Sequence, residues 1–172
     1  MNKRVSGLYA VTPELTDTGA LVRKVEAALR GGARVVQYRT KSIGDSLRRI
    51  QAEELARLCR ERNALFIIND SIELARWVDA DGVHLGKHDA DLSAARSALK
   101  PGKLIGVSCY NDMALARTAT AQGADYVAFG SFFPSVTKPA ALRADEQLLR
   151  IATTELDLPV VAIGGIDEHN AG

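Results

Sequence analysis

Apolar residues fall in short, nearly unbroken runs at Gly7–Thr12, Ala33–Arg39, Leu65–Asp70, Asp81–Leu85, Leu104–Ser108, Tyr126–Gly130 and Pro159–Gly164. Runs of this length, rich in Val and Ile, predict strands covered on both faces, as in a parallel sheet. Between them the spacing turns helical. Leu21, Val25, Ala28 and Leu29 share one helix face, which Gly31-Gly32 ends. Ile50, Leu55 and Leu58 stripe a longer helix whose other face carries Arg48, Arg49, Glu53, Arg57 and Glu61. Ile72–Val78, Leu92–Leu99, Met113–Gln122 and Asp145–Thr154 predict four more, with Asp45, Ser71, Asp91 and Asp112 at N-cap positions.

Alternating strands and helices predict a parallel α/β sheet, either an open doubly wound sheet or a TIM (β/α)8-type barrel. The segment Ala10-Val11-Thr12-Pro13-Glu14 after the first strand lacks the glycine cluster of a dinucleotide fold. Polar residues stand at the C-terminal ends of nearly all the strands, which suits a closed ring better than one switch point. The expectation is one barrel domain over residues 1–172 with about seven strands present. The eighth βα unit is then missing, the domain is incomplete at its C-terminal end, and strands one and seven are open-edged.

The strand-end residues suggest anion binding with a metal. In Val35-Val36-Gln37-Tyr38-Arg39-Thr40-Lys41, alternation sets Gln37 and Arg39 on one face and Tyr38 on the other. Arg39 needs an anionic partner there, and Lys41 adds a second cation. Asn69-Asp70 ends the third strand and could simply cap the next helix. Asp89, just past the fourth strand, changes that balance, because two carboxylates near cations suit Mg²⁺ bound together with phosphate oxygens. The loop Phe133-Pro134-Ser135-Val136-Thr137-Lys138-Pro139 offers hydroxyls, amides and a cation, and Gly164-Gly165 allows close backbone approach to a ligand.

Ser108 lacks the second glycine of a nucleophile elbow, since Tyr110 stands there, and reads as a hydrogen-bond donor. His84, His88 and His169 do not make a zinc pattern. Cys59 and Cys109 read as buried apolar residues, and Trp77 as helix packing.

Composition narrows the partners. A net charge of +1 gives no reason to expect nucleic acid or a membrane surface. No run approaches a membrane span or a signal-peptide core, so a cytoplasmic location is expected.

These blocks, in this order, resemble the thiamine-phosphate synthase family from Gly7-Leu8-Tyr9-Ala10-Val11-Thr12 to Gly164-Gly165-Ile166. The resemblance implies a TIM barrel that condenses 4-amino-5-hydroxymethyl-2-methylpyrimidine diphosphate with a (carboxy)thiazole phosphate, releasing diphosphate with Mg²⁺. It implies that Gln37, Arg39, Lys41, Asn69, Ser108 and Lys138 hold the pyrimidine diphosphate, with Tyr38 and Thr40 also among the substrate-binding residues. Asp70 and Asp89 would bind the metal. Ser135, Val136, Thr137 and Gly165 would hold the thiazole phosphate, with Lys138, Arg39 and Ser108 closest to the chemistry. Ser135 stands where the family commonly has Thr and keeps the hydroxyl. Small-molecule substrates and a homo-oligomer are the partners expected. Two rivals remain: a thiazole tautomerase of the same superfamily, with His84 as its local candidate, and a non-catalytic phosphate-binding remnant.

Overall fold

A computed structural model describes residues 5–86, 92–134 and 143–171. In sequence order these hold β1 (Leu8–Val11), α1 (Thr18–Arg30), β2 (Ala33–Tyr38), α2 (Asp45–Glu61), β3 (Leu65–Asn69), α3 (Ile72–Trp77), β4 (Gly82–Leu85), α4 (Leu92–Ala98), β5 (Leu104–Tyr110), α5 (Met113–Ala121), β6 (Tyr126–Phe129), α6 (Glu146–Glu155) and β7 (Val160–Ala162). The protein forms two compact units, one of Met1–His84 with Ala94–Leu104, the other of Leu85–Ser93 with Ile105–Gly172.

In the first unit β1, β2, β3 and β4 pair parallel in sequence order, with Val11 opposite Gln37, Tyr38 opposite Ile68 and Asn69 opposite His84. In the second, β5, β6 and β7 do the same. Neither order reverses, as it would at the switch point of a doubly wound sheet. The consecutive parallel order is that of the TIM-barrel class.

The strands β2, β3, β4 and β6 hold because their side chains are buried on both faces. Val35, Val36, Phe66, Ile67, Ile68 and Val83 are all nearly inaccessible, as are Leu21 of α1 and Leu55 of α2. Each such side chain contributes about 1.5–3 kcal/mol. In the second unit Cys109, Val127 and Phe129 pack with Ala116 and Ala119 of α5 and Ala152 of α6. Both thiols are buried, as expected.

One turn recurs where helix passes to strand. Gly32, Asn63, Asp79 and Gly123 all have φ between 53° and 96°, and a small Ala follows each. The amides of Ala64, Ala80 and Ala124 reach back to the carbonyls of Cys59, Ala75 and Ala119 at 2.8–2.9 Å, closing the helix ends. Two aspartates then align strands. Asp81 donates its amide to the Phe66 carbonyl and accepts the Phe66 amide on its carboxylate at 2.9 Å. Asp125 does the same with Ile105, at 2.7 Å for the carboxylate bond.

Several expectations need correction. Ile50 is 53% exposed, because it lies in register with Glu54 and Arg57, while Gln51, Ala52, Leu55, Ala56, Leu58 and Cys59 form the buried stripe. Trp77 is 58% exposed and does not pack inward. Its ring lies 4.7 Å under the Arg49 guanidinium, and its Nε1 donates to Glu53. The N-cap of α2 is Gly44, and Asp45 is the first helical residue. Ser71 and Asp112 do cap their helices, and Asp17 and Asp145 cap α1 and α6. Asp91 lies outside the described residues. β1 is not buried on both faces: Leu8 is 57% exposed. No helix among the described residues is long and apolar enough to cross a membrane.

Candidate active site

In the first unit, strand direction sets a cluster of residues at the strand ends. The parallel strands β2 and β3 end on the same side, so Arg39 follows one strand end and Asn69-Asp70 closes the other. Alternation along β2 separates its side chains as expected. Gln37 is buried and donates from Nε2 to the Tyr9 hydroxyl of β1 at 2.8 Å. Tyr38 faces α2, where its hydroxyl donates to Gln51 Oε1 at 2.9 Å. Its ring is thereby turned from the face that carries Gln37, and burial pushes its hydroxyl up to about 12.

Arg39 is half-buried, and its main chain is fixed: its amide donates to Thr12 Oγ1 at 3.0 Å. Thr12 donates its own amide to the Gln37 carbonyl at 2.9 Å. Among the described residues the Arg39 guanidinium makes no ion pair.

The next residues turn around one carboxylate. Glu14 Oε1 accepts from Thr40 Oγ1 at 3.1 Å, the Lys41 amide at 2.9 Å, and the Ser42 amide and hydroxyl at 2.6 Å each. The Ser42 hydroxyl, then the Lys41 and Ser42 amides, hold the Glu14 carboxyl at about 2, well below its ordinary range.

At the end of β3, Asp70 has φ 63°, and its amide donates to the His84 carbonyl of β4 at 2.9 Å. Asn69 Nδ2 donates to Asp70 Oδ2 at 2.6 Å. Ser71, not Asp70, caps α3. Asp70 is an exposed residue whose carboxylate is oriented by its neighbour. That suits a hard cation that takes one or two carboxylates and fills its shell with water and phosphate oxygens. Among the described residues no cluster of three His, Cys, Asp or Glu forms a protein-only metal cage. Asp89 lies outside the described residues.

In the second unit Ser108 is half-buried on β5, opposite Ala128 of β6. The register shifts between Ser108 and Tyr110, and the Tyr110 carbonyl accepts the Gly130 amide at 2.8 Å. Past β7, Gly164 and Gly165 have φ of 97° and 70°. A side chain at Gly164 would strike Ser131, and one at Gly165 would strike the carbonyls of Phe133 and Pro134. The Gly164 carbonyl accepts the Phe133 amide at 3.0 Å, and the Gly165 carbonyl accepts from Asn170 Nδ2 at 2.9 Å. The close approach that these glycines permit is therefore first an approach to the loop after β6. Ser135, Val136, Thr137 and Lys138 of that loop lie outside the described residues.

Sequence reasoning missed Tyr9, Thr12, Glu14 and Gln51, which hold the strand-end residues from behind. The available signals were a carboxylate one loop away from Arg39 and Lys41, and a glutamine in the buried register of α2.

Residues 8–172 match the family described as thiamine monophosphate synthase. A thiamine-phosphate synthase of Aromatoleum aromaticum is 55% identical over 168 residues, covering 98% of this chain and 81% of the relative. One of Methylobacillus flagellatus is 56% identical, covering 97% of this chain and 79% of the relative. A solved thiamine phosphate pyrophosphorylase from Pyrococcus furiosus superposes with a TM-score of 0.84 at 36% identity, over 95% of this chain and 77% of that one. A 3-dehydroquinate dehydratase from Geobacillus kaustophilus, 16% identical with a TM-score of 0.66, shares the fold alone.

Proposed function

The chain belongs to the thiamine monophosphate synthase family, and from that premise we propose that it joins a pyrimidine diphosphate to a thiazole phosphate, giving thiamine phosphate and diphosphate. The observation that carries the reading into this structure is the end of β2. Arg39 stands there half-buried, with a fixed main chain and no ion-pair partner among the described residues, and Lys41 follows it. A diphosphate supplies an anion for the guanidinium, which finds none among the described residues.

In this reaction the thiazole nitrogen attacks the methylene carbon of the pyrimidine. The carbon–oxygen bond to diphosphate breaks, and its electron pair leaves with the diphosphate. The pyrimidine amino group stabilises positive charge at the methylene, so no protein nucleophile is needed. The protein's work is to position both substrates and to neutralise the departing charge.

The proposed roles are those that the family resemblance implies. Arg39 and Lys41 hold the diphosphate, with Thr40 between them. Gln37 and Asn69 fix the pyrimidine end, and the main chain of Tyr38 keeps Gln37 and Arg39 on one face. Ser108 donates a hydrogen bond. Lys138 accompanies the leaving group. Ser135, Val136, Thr137 and Gly165 hold the thiazole phosphate. Asp70 and Asp89 hold Mg²⁺, which when bound screens the diphosphate charge. Asp70, an exposed residue, fits that duty. Small-molecule partners and a cytoplasmic location belong to the same proposal. No observation favours the tautomerase or the non-catalytic reading.

The test supplies both substrates with Mg²⁺ and follows thiamine phosphate. Product is expected with both substrates and none with either alone. Excess EDTA is expected to stop formation, and added Mg²⁺ to restore it. Product at an unchanged rate in EDTA would remove the metal from the mechanism.

A further inference from the structure

We infer that Glu14 is a positioning residue that holds the Arg39–Lys41 segment in the shape that receives the diphosphate. The inference rests on the reading just given of Arg39 and Lys41 as the diphosphate clamp.

The geometry is specific. One carboxylate oxygen gathers two consecutive amides and two hydroxyls from Thr40, Lys41 and Ser42. The segment is tied at its other end by the Arg39 amide on Thr12. Arg39 and Lys41 are thus presented from a backbone fixed at both ends. Without Glu14, the Lys41 and Ser42 amides lose their acceptor.

Glu14 is itself held. Two residues before it, Thr12 is bonded through its amide to Gln37 of β2 and through its hydroxyl to Arg39 just past that strand. One residue after it, the Leu15 carbonyl accepts from Gln51 Nε2 at 2.8 Å. Gln51 is 1% exposed and its other end accepts the Tyr38 hydroxyl. The stem of the carboxylate is therefore anchored on both sides to β2 and α2. This is the arrangement of a fixed strut, not of a group waiting to be displaced. Strong ionisation, at about 2, keeps the strut charged across the physiological range.

The competing idea is that Glu14 occupies the anion nest of Lys41 and Ser42 and must yield to the diphosphate. The two ideas predict opposite changes on substitution.

The test compares the full-length protein with Glu14→Ala and Glu14→Gln. Glu14 is exposed, so both variants are expected to fold with unchanged melting. In Glu14→Ala the KM for the pyrimidine diphosphate is expected to rise by about tenfold or more, the scale of a lost charge-assisted hydrogen bond. The KM for thiazole phosphate is expected to stay within roughly twofold. Glu14→Gln, which keeps an acceptor without the charge, is expected to fall between. An unchanged KM for the pyrimidine diphosphate overturns the inference, and a lowered one establishes competition instead.

A substrate-free readout separates this from the functional reading. Hydrogen exchange at the Lys41 and Ser42 amides is expected to quicken by about tenfold or more in Glu14→Ala. Unchanged exchange overturns the strut whatever the activity. Quickened exchange in a protein that makes no thiamine phosphate would leave the strut standing and overturn the functional reading.

Discussion

The Tyr38 hydroxyl donates to Gln51 Oε1 at 2.9 Å, tying β2 to α2 through a bond buried from water. Tyr38→Phe removes the donor and leaves a buried amide oxygen unsatisfied, at a cost of about 1–3 kcal/mol. Urea unfolding should show that loss. The pH dependence has a definite sign. Burial raises the hydroxyl from 10.0 to about 12 in the folded state. The folded state therefore keeps a proton that the unfolded state releases. Its stabilisation is complete below pH 10 and declines as pH rises toward about 12. Tyr38→Phe should flatten that alkaline decline.

Two glycines separate crowding from backbone strain. A side chain at Gly106 would enter the ring of buried Tyr126, whereas Gly123, at φ 90°, has nothing near its missing Cβ. Gly123→Ala should cost about 1–2 kcal/mol, the penalty of the left-handed backbone alone. Gly106→Ala should cost about 1–3 kcal/mol from overpacking and shift Tyr126. Thermal melts measure both costs. A change in Tyr126 fluorescence or side-chain NMR shifts is expected only for Gly106→Ala.

The two thiols should be inert in the native state. Burial pushes both Cys59 and Cys109 from 9.0 up to about 12. A thiol reagent at about pH 8 should leave both unmodified in the folded protein and label both in denaturant. Prompt labelling of native protein would show that these cores open readily.

At the site, Arg39→Lys keeps the charge and loses the planar fork. The KM for the pyrimidine diphosphate should rise by about tenfold or more, with melting unchanged. Asp70→Asn should raise the Mg²⁺ concentration needed for half-maximal rate by a similar factor. A wild-type Mg²⁺ dependence in Asp70→Asn would take Asp70 out of the metal site.

The fold is largely legible in the sequence because its strands are continuous apolar runs. Boundaries move where pairing outlasts the pattern: β5 continues to Tyr110, which pairs with Phe129 past a register shift. The recurring helix-to-strand turn is visible where a glycine takes it, at Gly31-Gly32 and Gly123. At Asn63 and Asp79 polar residues take the left-handed position, and they look like ordinary surface. Ile50 and Trp77 mislead because hydrophobicity alone does not decide burial. Ile50 faces solvent beside Glu54 and Arg57, and Trp77 is satisfied by Arg49 and Glu53.

For the site, polar and charged residues closing apolar strands are hard to explain otherwise, so Arg39, Asn69 and Asp70 stand out. Their supports do not. Glu14 is an exposed acid in a loop, and Gln51 is one polar residue on a helix. Only the fold brings one to the Lys41 amide and the other to Tyr38.

The most direct measurement follows phosphorus NMR of the protein mixed with equal amounts of pyrimidine diphosphate and thiazole phosphate in Mg²⁺. Free diphosphate and thiamine phosphate are expected to appear together, one for one, and neither when the thiazole phosphate is left out. Diphosphate released without thiazole phosphate would mark a hydrolase, and no release with both substrates present would contradict the assigned reaction.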